Sequence, residues 1–437
     1  MVSTVPATTR ATESTVCIPA PAPWPARAAI STLMPGASPR VWADLAGYRA
    51  DVAEEQLVPS GVAGRVATVF MCGDVMTGRG VDQILPHPGD PRLREPYVRD
   101  ARAYVRLVEN MAGPVPQPAD VTWPWGDALT VLERLAPDVR VINVETSITR
   151  SKTFAPGKDI HYRMSPANIG CLTTARPDVC ALANNHTLDF GRAGLAETIA
   201  VLSGAGLRPV GAGYDQNSVQ APAVIGLPGG GRVLVFAGGT PSSGIPAGWS
   251  VAAGQPGVNW LPDEPLDTAD RLISSIQQAK RPNDIAVVSL HWGSNWGYEV
   301  PVGMVRLAHA LIDGGADLIH GHSSHHPRPI EIYRGKLILY GCGDCIDDYE
   351  GITGHEDYRG ELRLLYFATV EPGTGALAGL RMVPMRIHKV RLQHATAEDA
   401  AWLATVLQRT SRRLGTQVAR GPSGILTITP PGSEVQE

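Results

Sequence analysis

The sequence predicts a layered α/β fold, and two recurring patterns carry this prediction. Short runs of β-branched and apolar residues are typical of buried strands, and apolar residues at helical spacing lie between several of them. Glycines end these helical patterns, as at Gly204 and Gly314. Alternation of strands and helices is typical of layered α/β domains. The predicted strands cover residues 66–72, 139–144, 179–183, 233–237, 285–290, 318–320 and 337–340.

Composition divides the chain into four parts. Residues 1–40 are rich in Pro, Ala, Ser and Thr, which predicts a flexible N-terminal strap. Residues 41–65 carry apolar residues at near-helical spacing and predict a lead-in helix. Residues 66–390 predict one compact catalytic domain. Residues 391–437 predict a C-terminal helix and then a loose tail from about Arg420.

Charge and hydropathy exclude several classes of function. The formal net charge is −4 over 437 residues, and the signs are mixed, so no basic stripe predicts a nucleic-acid partner. No apolar run reaches the roughly 20 residues of a membrane span, and the first residues lack a signal-peptide pattern. We therefore expect a soluble, cytoplasmic protein with no membrane partner. Six cysteines are too sparse for a disulfide framework, and the single Cys342-Gly-Asp-Cys345 motif is a weak signal for zinc or redox chemistry.

Most of the predicted strands end in residues that can bind a metal or move a proton. Open α/β sheets bind ligands at this edge, beyond the carboxyl ends of their strands. Each group alone has an ordinary structural explanation, since an acidic residue can cap a helix, a histidine can lie in a core and Asn can form a turn. Their coincidence at five strand ends favours a functional site. The groups are Asp74, Glu145, Asn184-Asn185-His186 with Asp189, His291, and the histidine-rich run 320–326.

Five motifs at these strand ends closely resemble the CapA family, which is named for polyglutamate capsule proteins and is related to the calcineurin-like metallophosphatases. The resemblance covers about residues 66–390 and implies a four-layer sandwich of two mixed β-sheets flanked by helices. It is carried by GDVMTGRGVDQ (73–83), NVETSIT (143–149), LANNHTLDFG (182–191), HWGSNWGYE (291–299) and GHSSHHPRPIEIYRGKLILYGCGD (321–344).

The resemblance also implies a metal site. Asp74 matches the first aspartate of the metallophosphatase motifs, Glu145 the bridging acid, and Asn185-His186 the Asn-His pair. His291 matches the lone histidine, while His322 and His325 match the last histidine pair with one extra residue between them. The predicted metal ligands are Asp74, Glu145, Asn185 and His325.

One departure from the metallophosphatase pattern bears on the number and type of metal. Met76 stands where the phosphatases carry a metal-binding histidine, and a thioether suits neither Zn²⁺ nor a hard cation. The remaining predicted ligands are mostly oxygens, which favour Ca²⁺, Mg²⁺ or Mn²⁺ over Zn²⁺. We therefore expect one divalent ion rather than two.

A single hard cation is a weak generator of hydroxide at neutral pH, so the neighbouring histidines and aspartates are expected to perform proton transfer. Two acid/base groups on opposite faces of a carbon can remove an α-proton from one side and return it on the other. The predicted catalytic residues are His186, Asp189, His291, His322 and Asp344.

Within the CapA family the chain resembles a peptide epimerase that inverts the α-carbon of the C-terminal residue of a lasso-type precursor peptide. The resemblance implies such a peptide as partner. Trp292 and Trp296 are candidates for holding an apolar side chain of the substrate, although both could be ordinary core residues. Two alternatives stay open: a metal-dependent hydrolase of a phosphoester, γ-glutamyl or peptide bond, and a non-catalytic peptide-binding module.

Overall fold

The computed structural model describes residues 66–263 and 265–429. The predicted strap at residues 1–40 and lead-in helix at 41–65 lie outside the described residues, as does the end of the predicted tail, 430–437. All seven predicted strands are present with small shifts at their ends, and the mixed α/β character of the fold is confirmed.

The described residues form strands and helices in the following order. The strands are β1 Ala67–Val75, β2 Val139–Val144, β3 Ser147–Ile148, β4 Arg163–Met164, β5 Val179–Ala181, β6 Arg208–Val210, β7 Ala212–Gly213, β8 Ala223–Gly226, β9 Arg232–Gly239, β10 Gly257–Val258, β11 Ile285–His291, β12 Leu318–His322, β13 Ile330–Tyr333, β14 Lys336–Leu339, β15 Asp344–Ile346, β16 Leu362–Val370, β17 Leu377–Ile387, β18 Leu392–His394, β19 Ala419–Arg420 and β20 Leu426–Ile428. The helices are α1 Arg79–Ile84, α2 Arg102–Ala112, α3 Ala128–Leu135, α4 Gly170–Thr173, α5 Gly191–Gly204, α6 Gln216–Gln220, α7 Pro265–Ala279, α8 Val302–Asp313 and α9 Ala397–Ser411.

Two mixed sheets organise these elements. The larger has ten strands in the order β19-β20-β17-β16-β1-β2-β5-β6, with β15 beside β1 and β18 beside β17. The smaller has six strands in the order β13-β14-β12-β11-β9-β8. In the larger sheet β1, β2, β5 and β6 are parallel, and in the smaller sheet β9, β11, β12 and β14 are parallel. Each parallel set directs the carboxyl ends of its strands to one edge of its sheet.

Alternate residues along the central strands enter different hydrophobic clusters. Val69 and Val287, from β1 and β11, belong to a cluster to which both sheets contribute. Phe70, next to Val69, belongs instead to a cluster with residues of α2, α3 and α5. Val288 joins a third cluster with residues of α7 and α8. Both faces of each sheet are therefore buried, which explains the near-continuous apolar runs in the sequence.

The C-terminal region departs from the prediction. The predicted helix is present as α9, but residues after Arg420 are not a loose tail throughout, because Leu426–Ile428 pairs with Leu380–Met382 of β17. Strand β18 also pairs with β17. Residue 390 therefore does not end the domain, because later strands complete the larger sheet. Each pairing supplies backbone partners that the polar composition of this segment did not reveal.

Two further predictions from composition concern membrane-spanning helices and the cysteine side chains. Among the described residues, no helix has both the length and the apolar character needed to cross a bilayer. The five described cysteines are all buried and free, and burial raises the pKa of the Cys342 thiol well above its usual value. Such thiols are inert towards redox and metal chemistry at neutral pH.

Candidate metal and acid/base site

Strand register brings the predicted residues of the larger sheet together. Asp74, near the end of β1, is paired with Asn143 of β2 on one side and with Asp344 of β15 on the other. The approach of β15 depends on Gly73, because a Cβ at that position would lie only 1.8 Å from the carbonyl oxygen of Gly343. The glycine in the first motif therefore admits a second carboxylate beside Asp74.

Asp74 and Glu145 form a buried carboxyl pair. Asp74 is 0% exposed and Glu145 is 1% exposed. Burial raises the pKa of Asp74 to about 6, with a further contribution from the Asp344 charge, while hydrogen bonds from neighbours oppose the rise. Burial and the adjacent Asp74 charge raise the pKa of Glu145 well above its usual value. Two touching carboxylates in a dry interior need either a shared proton or a cation.

The nearby fixed cations do not meet that need, because other carboxylates hold them. Arg79 binds Asp348 through two hydrogen bonds and contacts Glu95 at 3.1 Å. Arg363 pairs with Asp347 in a fully buried ion pair. Of the Glu145 carboxylate oxygens, Oε2 has no hydrogen-bond partner at all, and the same is true of Oδ2 of Asp344. These uncompensated oxygens fit a divalent cation.

The smaller sheet contributes two histidines from adjacent strands. His291 and His322 are register partners at the ends of β11 and β12, and their Nδ1 atoms are 2.8 Å apart. The Nε2 atom of His291 lies 3.1 Å from Oδ1 of Asn185 and 3.8 Å from Oε1 of Glu145. Burial lowers the pKa of both imidazoles well below the usual value. Neither ring hydrogen-bonds a carboxylate, so neither is part of an oriented histidine–carboxylate pair, and the role of both in proton transfer stays a prediction.

His186 and Asp189 form the first oriented histidine–carboxylate pair. Nδ1 of His186 lies 2.6 Å from Oδ2 of Asp189, which leaves Nε2 facing Glu145 at 3.7 Å. Lys158, which the sequence did not single out, is 2.5 Å from Oδ1 of Asp189 and 3.1 Å from Nδ1 of His186. Burial lowers the pKa of His186 to about 4; the Asp189 charge opposes this shift and the Lys158 charge adds to it.

His325 and Asp344 form the second pair. Nδ1 of His325 lies 2.9 Å from Oδ1 of Asp344. Burial would lower the pKa of His325, but the charge and hydrogen bond of Asp344 outweigh it and raise that pKa. The sequence placed Asp344 near the His322 loop and assigned His325 to the metal, whereas the structure orients His325, not His322, through Asp344. The cause is Ser323, whose backbone (φ +98°) turns the loop and donates its N–H to Asp74 at 3.1 Å.

A tyrosine pair lies between the two histidine–carboxylate pairs. The Tyr162 ring packs edge-on against His186, and the Tyr349 ring packs edge-on against His325. Their hydroxyl groups are 2.9 Å apart. The Tyr349 hydroxyl also contacts the sulfur of Met76 at 3.5 Å. Thus the thioether of Met76 packs against tyrosine.

The two candidate substrate-binding tryptophans have different environments. Trp292 is 2% exposed, stacks on Tyr340 and donates its indole N–H to the Tyr340 carbonyl at 3.1 Å, which are the contacts of a core residue; its role in substrate binding stays a prediction. Strand alternation explains this, because Trp292 follows His291 and points to the opposite face. Trp296 is partly exposed, stacks on His355 and lies 5.5 Å from the His325 ring. Its predicted role stays a prediction.

Alanine substitution should separate these two tryptophans. We expect Trp292→Ala to lower the free energy of unfolding by about 3–5 kcal/mol, because it leaves a large cavity between sheet and helices. We expect Trp296→Ala to cost about 1–2 kcal/mol from lost ring contacts. Urea unfolding of both variants measures this, and equal losses would contradict the different burial of the two rings.

The residues present fit one divalent cation. Two groups of metal-competent side chains share Asp74: one adds His291 and His322, the other His325 and Asp344. The second group already forms an oriented acid/base pair. The first adjoins Glu145 and Asn185, where carboxylate and amide oxygens and a histidine nitrogen converge. A set dominated by oxygen favours Ca²⁺, Mg²⁺ or Mn²⁺, and the imidazole is compatible with Mn²⁺.

The raised pKa of Asp74 predicts a pH-dependent stability difference in metal-free protein. The folded state holds this proton more tightly than the unfolded chain, because the pKa rises from 3.8 to about 6. The resulting stabilisation is full below about pH 4 and is lost as the pH rises through about 6. We expect the stability of the wild type relative to Asp74→Asn to fall by about 1–2 kcal/mol between pH 5 and pH 7. Urea unfolding in chelator tests this, and a constant difference would contradict it.

The fold and this cluster define a class: an α/β protein with a buried carboxylate–imidazole site at its strand ends, as in metal-dependent enzymes. Residues 68–349 match the family profile described as bacterial capsule synthesis protein PGA_cap. The chain therefore belongs to this capsule synthesis family, which confirms the CapA family resemblance seen in the motifs.

Similarity to individual proteins agrees with this family membership. The chain is 54% identical, over 84% of its length and 96% of the relative, to a probable polyglutamine synthesis accessory protein of Mycobacterium tuberculosis. It is 31% identical, over 58% of its length and 63% of the relative, to the PGA biosynthesis protein CapA of Bacillus subtilis. A crystal structure of TT1561 from Thermus thermophilus is 10% identical, with a TM-score of 0.33 over 72% of this chain and 97% of that one. That score is too low to bear on the fold.

Proposed function

We propose that this protein is a metal-dependent enzyme that moves the α-proton of a peptide residue, with epimerisation as the reaction. The observation that carries the proposal is the presence of two imidazoles, His186 and His325, each oriented by its own buried aspartate. Such an aspartate fixes the ring and makes it more basic. One imidazole would accept the α-proton, and the other would deliver a proton to the opposite face of the same carbon.

The carboxyl cluster supports the metal dependence. Asp74, Glu145 and Asn185 would hold the cation through oxygen, and His291 would add a nitrogen. A bound divalent cation would offset negative charge that develops on the substrate carbonyl when the α-proton leaves. His186 and His325 would hold and move the proton, while the buried surroundings keep competing water away.

The proposed substrate is the peptide that the sequence predicts. Trp296 and the rings stacked on it lie beside His325, where an apolar side chain of a peptide could pack. A lasso-type precursor peptide, modified at its C-terminal residue, is the substrate that the sequence resemblance implies. The three hydrophobic clusters also support a four-layer sandwich of sheets and helices. A cytoplasmic location stays a prediction.

Deuterium incorporation tests the proposal. The full chain, loaded with Mn²⁺ or Ca²⁺, is incubated in D₂O with a candidate precursor peptide, and mass spectrometry and chiral analysis follow. We expect one hydrogen to be replaced by deuterium, with inversion at one residue, and both changes should be removed by chelator. Inversion without deuterium, or deuterium uptake unaffected by chelator, would contradict the mechanism.

The second candidate is hydrolysis of an amide bond in a glutamyl polymer. The names of the relatives favour it, since they refer to polyglutamine synthesis and PGA biosynthesis. The same assay separates the two, because hydrolysis gives fragments of a γ-glutamyl oligomer and leaves the α-carbon unlabelled. Metal-dependent fragments from such an oligomer, with no α-deuterium in any peptide, would place hydrolysis first.

A further inference from the structure

A continuous chain of hydrogen bonds lies behind the candidate metal site. It begins at the backbone carbonyl of Cys72, which is 2.8 Å from Nε2 of His320. The hydroxyl of Ser289 is 3.1 Å from Nδ1 of His320 and 2.9 Å from Nε2 of His322. The chain continues from His322 to His291 through their two Nδ1 atoms.

Strand register creates this chain. Ser289 pairs with His320, and His291 pairs with His322, on the neighbouring parallel strands β11 and β12. Within each strand the two residues are two positions apart, so their side chains project from the same face. All four are at most 1% exposed, so no solvent competes for their hydrogen bonds.

The position of each proton in this chain of hydrogen bonds follows from its first acceptor, the Cys72 carbonyl. A carbonyl oxygen only accepts, so Nε2 of His320 must donate to Cys72. Nδ1 of the neutral His320 ring then accepts the single hydroxyl hydrogen of Ser289. The Ser289 oxygen is left as an acceptor, and it takes the Nε2 hydrogen of His322.

The chain of hydrogen bonds reaches the candidate metal site through His322 and His291. With its hydrogen on Nε2, His322 presents a bare Nδ1, which accepts the Nδ1 hydrogen of His291. Nε2 of His291 is then bare. That atom faces Oδ1 of Asn185 at 3.1 Å and Oε1 of Glu145 at 3.8 Å, so three lone-pair donors converge.

We propose that Ser289 and His320 are positioning residues that fix the proton of His291 on Nδ1, so that its Nε2 binds a divalent cation with Glu145 and Asn185. This inference rests on the metal site of the proposed function. Outer partners that hold a histidine ligand in one tautomer are worth about 10- to 100-fold in metal affinity. Neither Ser289 nor His320 takes part in the proposed proton transfer.

The first test is metal affinity measured on the metal-free full chain by titration calorimetry with Mn²⁺ and with Ca²⁺. We expect Ser289→Ala to raise the dissociation constant about 10- to 100-fold. Ser411→Ala is the matched control, because Ser411 is also fully buried and accepts a hydrogen bond, from the Ile330 N–H. It should leave the dissociation constant unchanged within about twofold, since distant sites act independently. Equal affinity in Ser289→Ala and wild type would overturn the inference.

The second test needs no metal and no activity. Long-range nitrogen–proton spectra of metal-free protein labelled at histidine report which ring nitrogen carries the hydrogen. We expect His291 of the wild type to be protonated on Nδ1 alone, and Ser289→Ala to give a mixture of tautomers. Protonation of His291 on Nε2 in the wild type would overturn the inference. Absence of metal binding by the wild type would instead remove the proposed metal site, while the spectra still decide the tautomer.

Discussion

Replacing His186 or His325 by alanine is expected to lower the rate of inversion about 10²- to 10⁴-fold, the usual contribution of a positioned acid/base group. The two variants should differ in isotope exchange. Each retains one oriented imidazole, so His186→Ala should exchange the α-proton of one epimer and His325→Ala that of the other. Deuterium uptake from each purified epimer, measured with metal present, gives this comparison.

The control for this experiment is a histidine–carboxylate pair outside the site. His309 lies 2.9 Å from Glu331 and stacks on Tyr333, so His309→Ala removes an equivalent ion-pair partner without touching the candidate site. Its exchange rates should match the wild type. Loss of exchange from both epimers in both site variants would contradict a two-base mechanism, and so would full exchange in either site variant with both epimers.

The sequence predicts the carboxyl and amide part of the site because that part depends on local order alone. Asp74 lies near the end of β1, Glu145 directly follows β2 and Asn185 lies in the loop after β5, and adjacent parallel strands bring such residues to one edge. The strands themselves follow from uninterrupted apolar runs buried on both faces. The position of each side chain at a strand end can therefore be read from the sequence without knowledge of the strand order.

The remaining features depend on register and on loops. The pairing of Asp344 with His325 depends on the left-handed turn at Ser323. A residue with a β-carbon rarely adopts this backbone conformation, and no sequence motif predicts it here. Lys158 enters from a loop with no regular pattern, so its contact with Asp189 is invisible in sequence. Ser289 could have been found, since it lies two residues before His291 and so shares its face. The same rule would have placed Trp292 in the core.

Replacing Glu145 by glutamine is expected to produce opposite changes in metal binding and stability. Loss of a charged ligand should raise the dissociation constant for Mn²⁺ or Ca²⁺. Removal of a residue that only orients a ligand raises this constant about 10- to 100-fold, and the effect of losing Glu145 should be larger. The metal-free variant should be at least as stable as the wild type at pH 7. The neutral amide needs neither a proton nor a cation to lie beside the Asp74 charge, and Oε2 of Glu145 has no hydrogen bond to lose.

Glu331→Gln is the matched control for that variant, and it should behave in the reverse way. Glu331 accepts a 2.6 Å hydrogen bond from the Tyr340 hydroxyl and pairs with His309, so its loss should cost about 1–3 kcal/mol of stability. Its metal affinity should equal that of the wild type. Calorimetric titration and urea unfolding of both variants give the four values. A Glu145→Gln variant that is destabilised like Glu331→Gln but binds metal normally would mean that Glu145 supports the fold rather than a cation. The opposite signs are the stronger test, because a residue that only stabilises the protein cannot be removed without loss of stability.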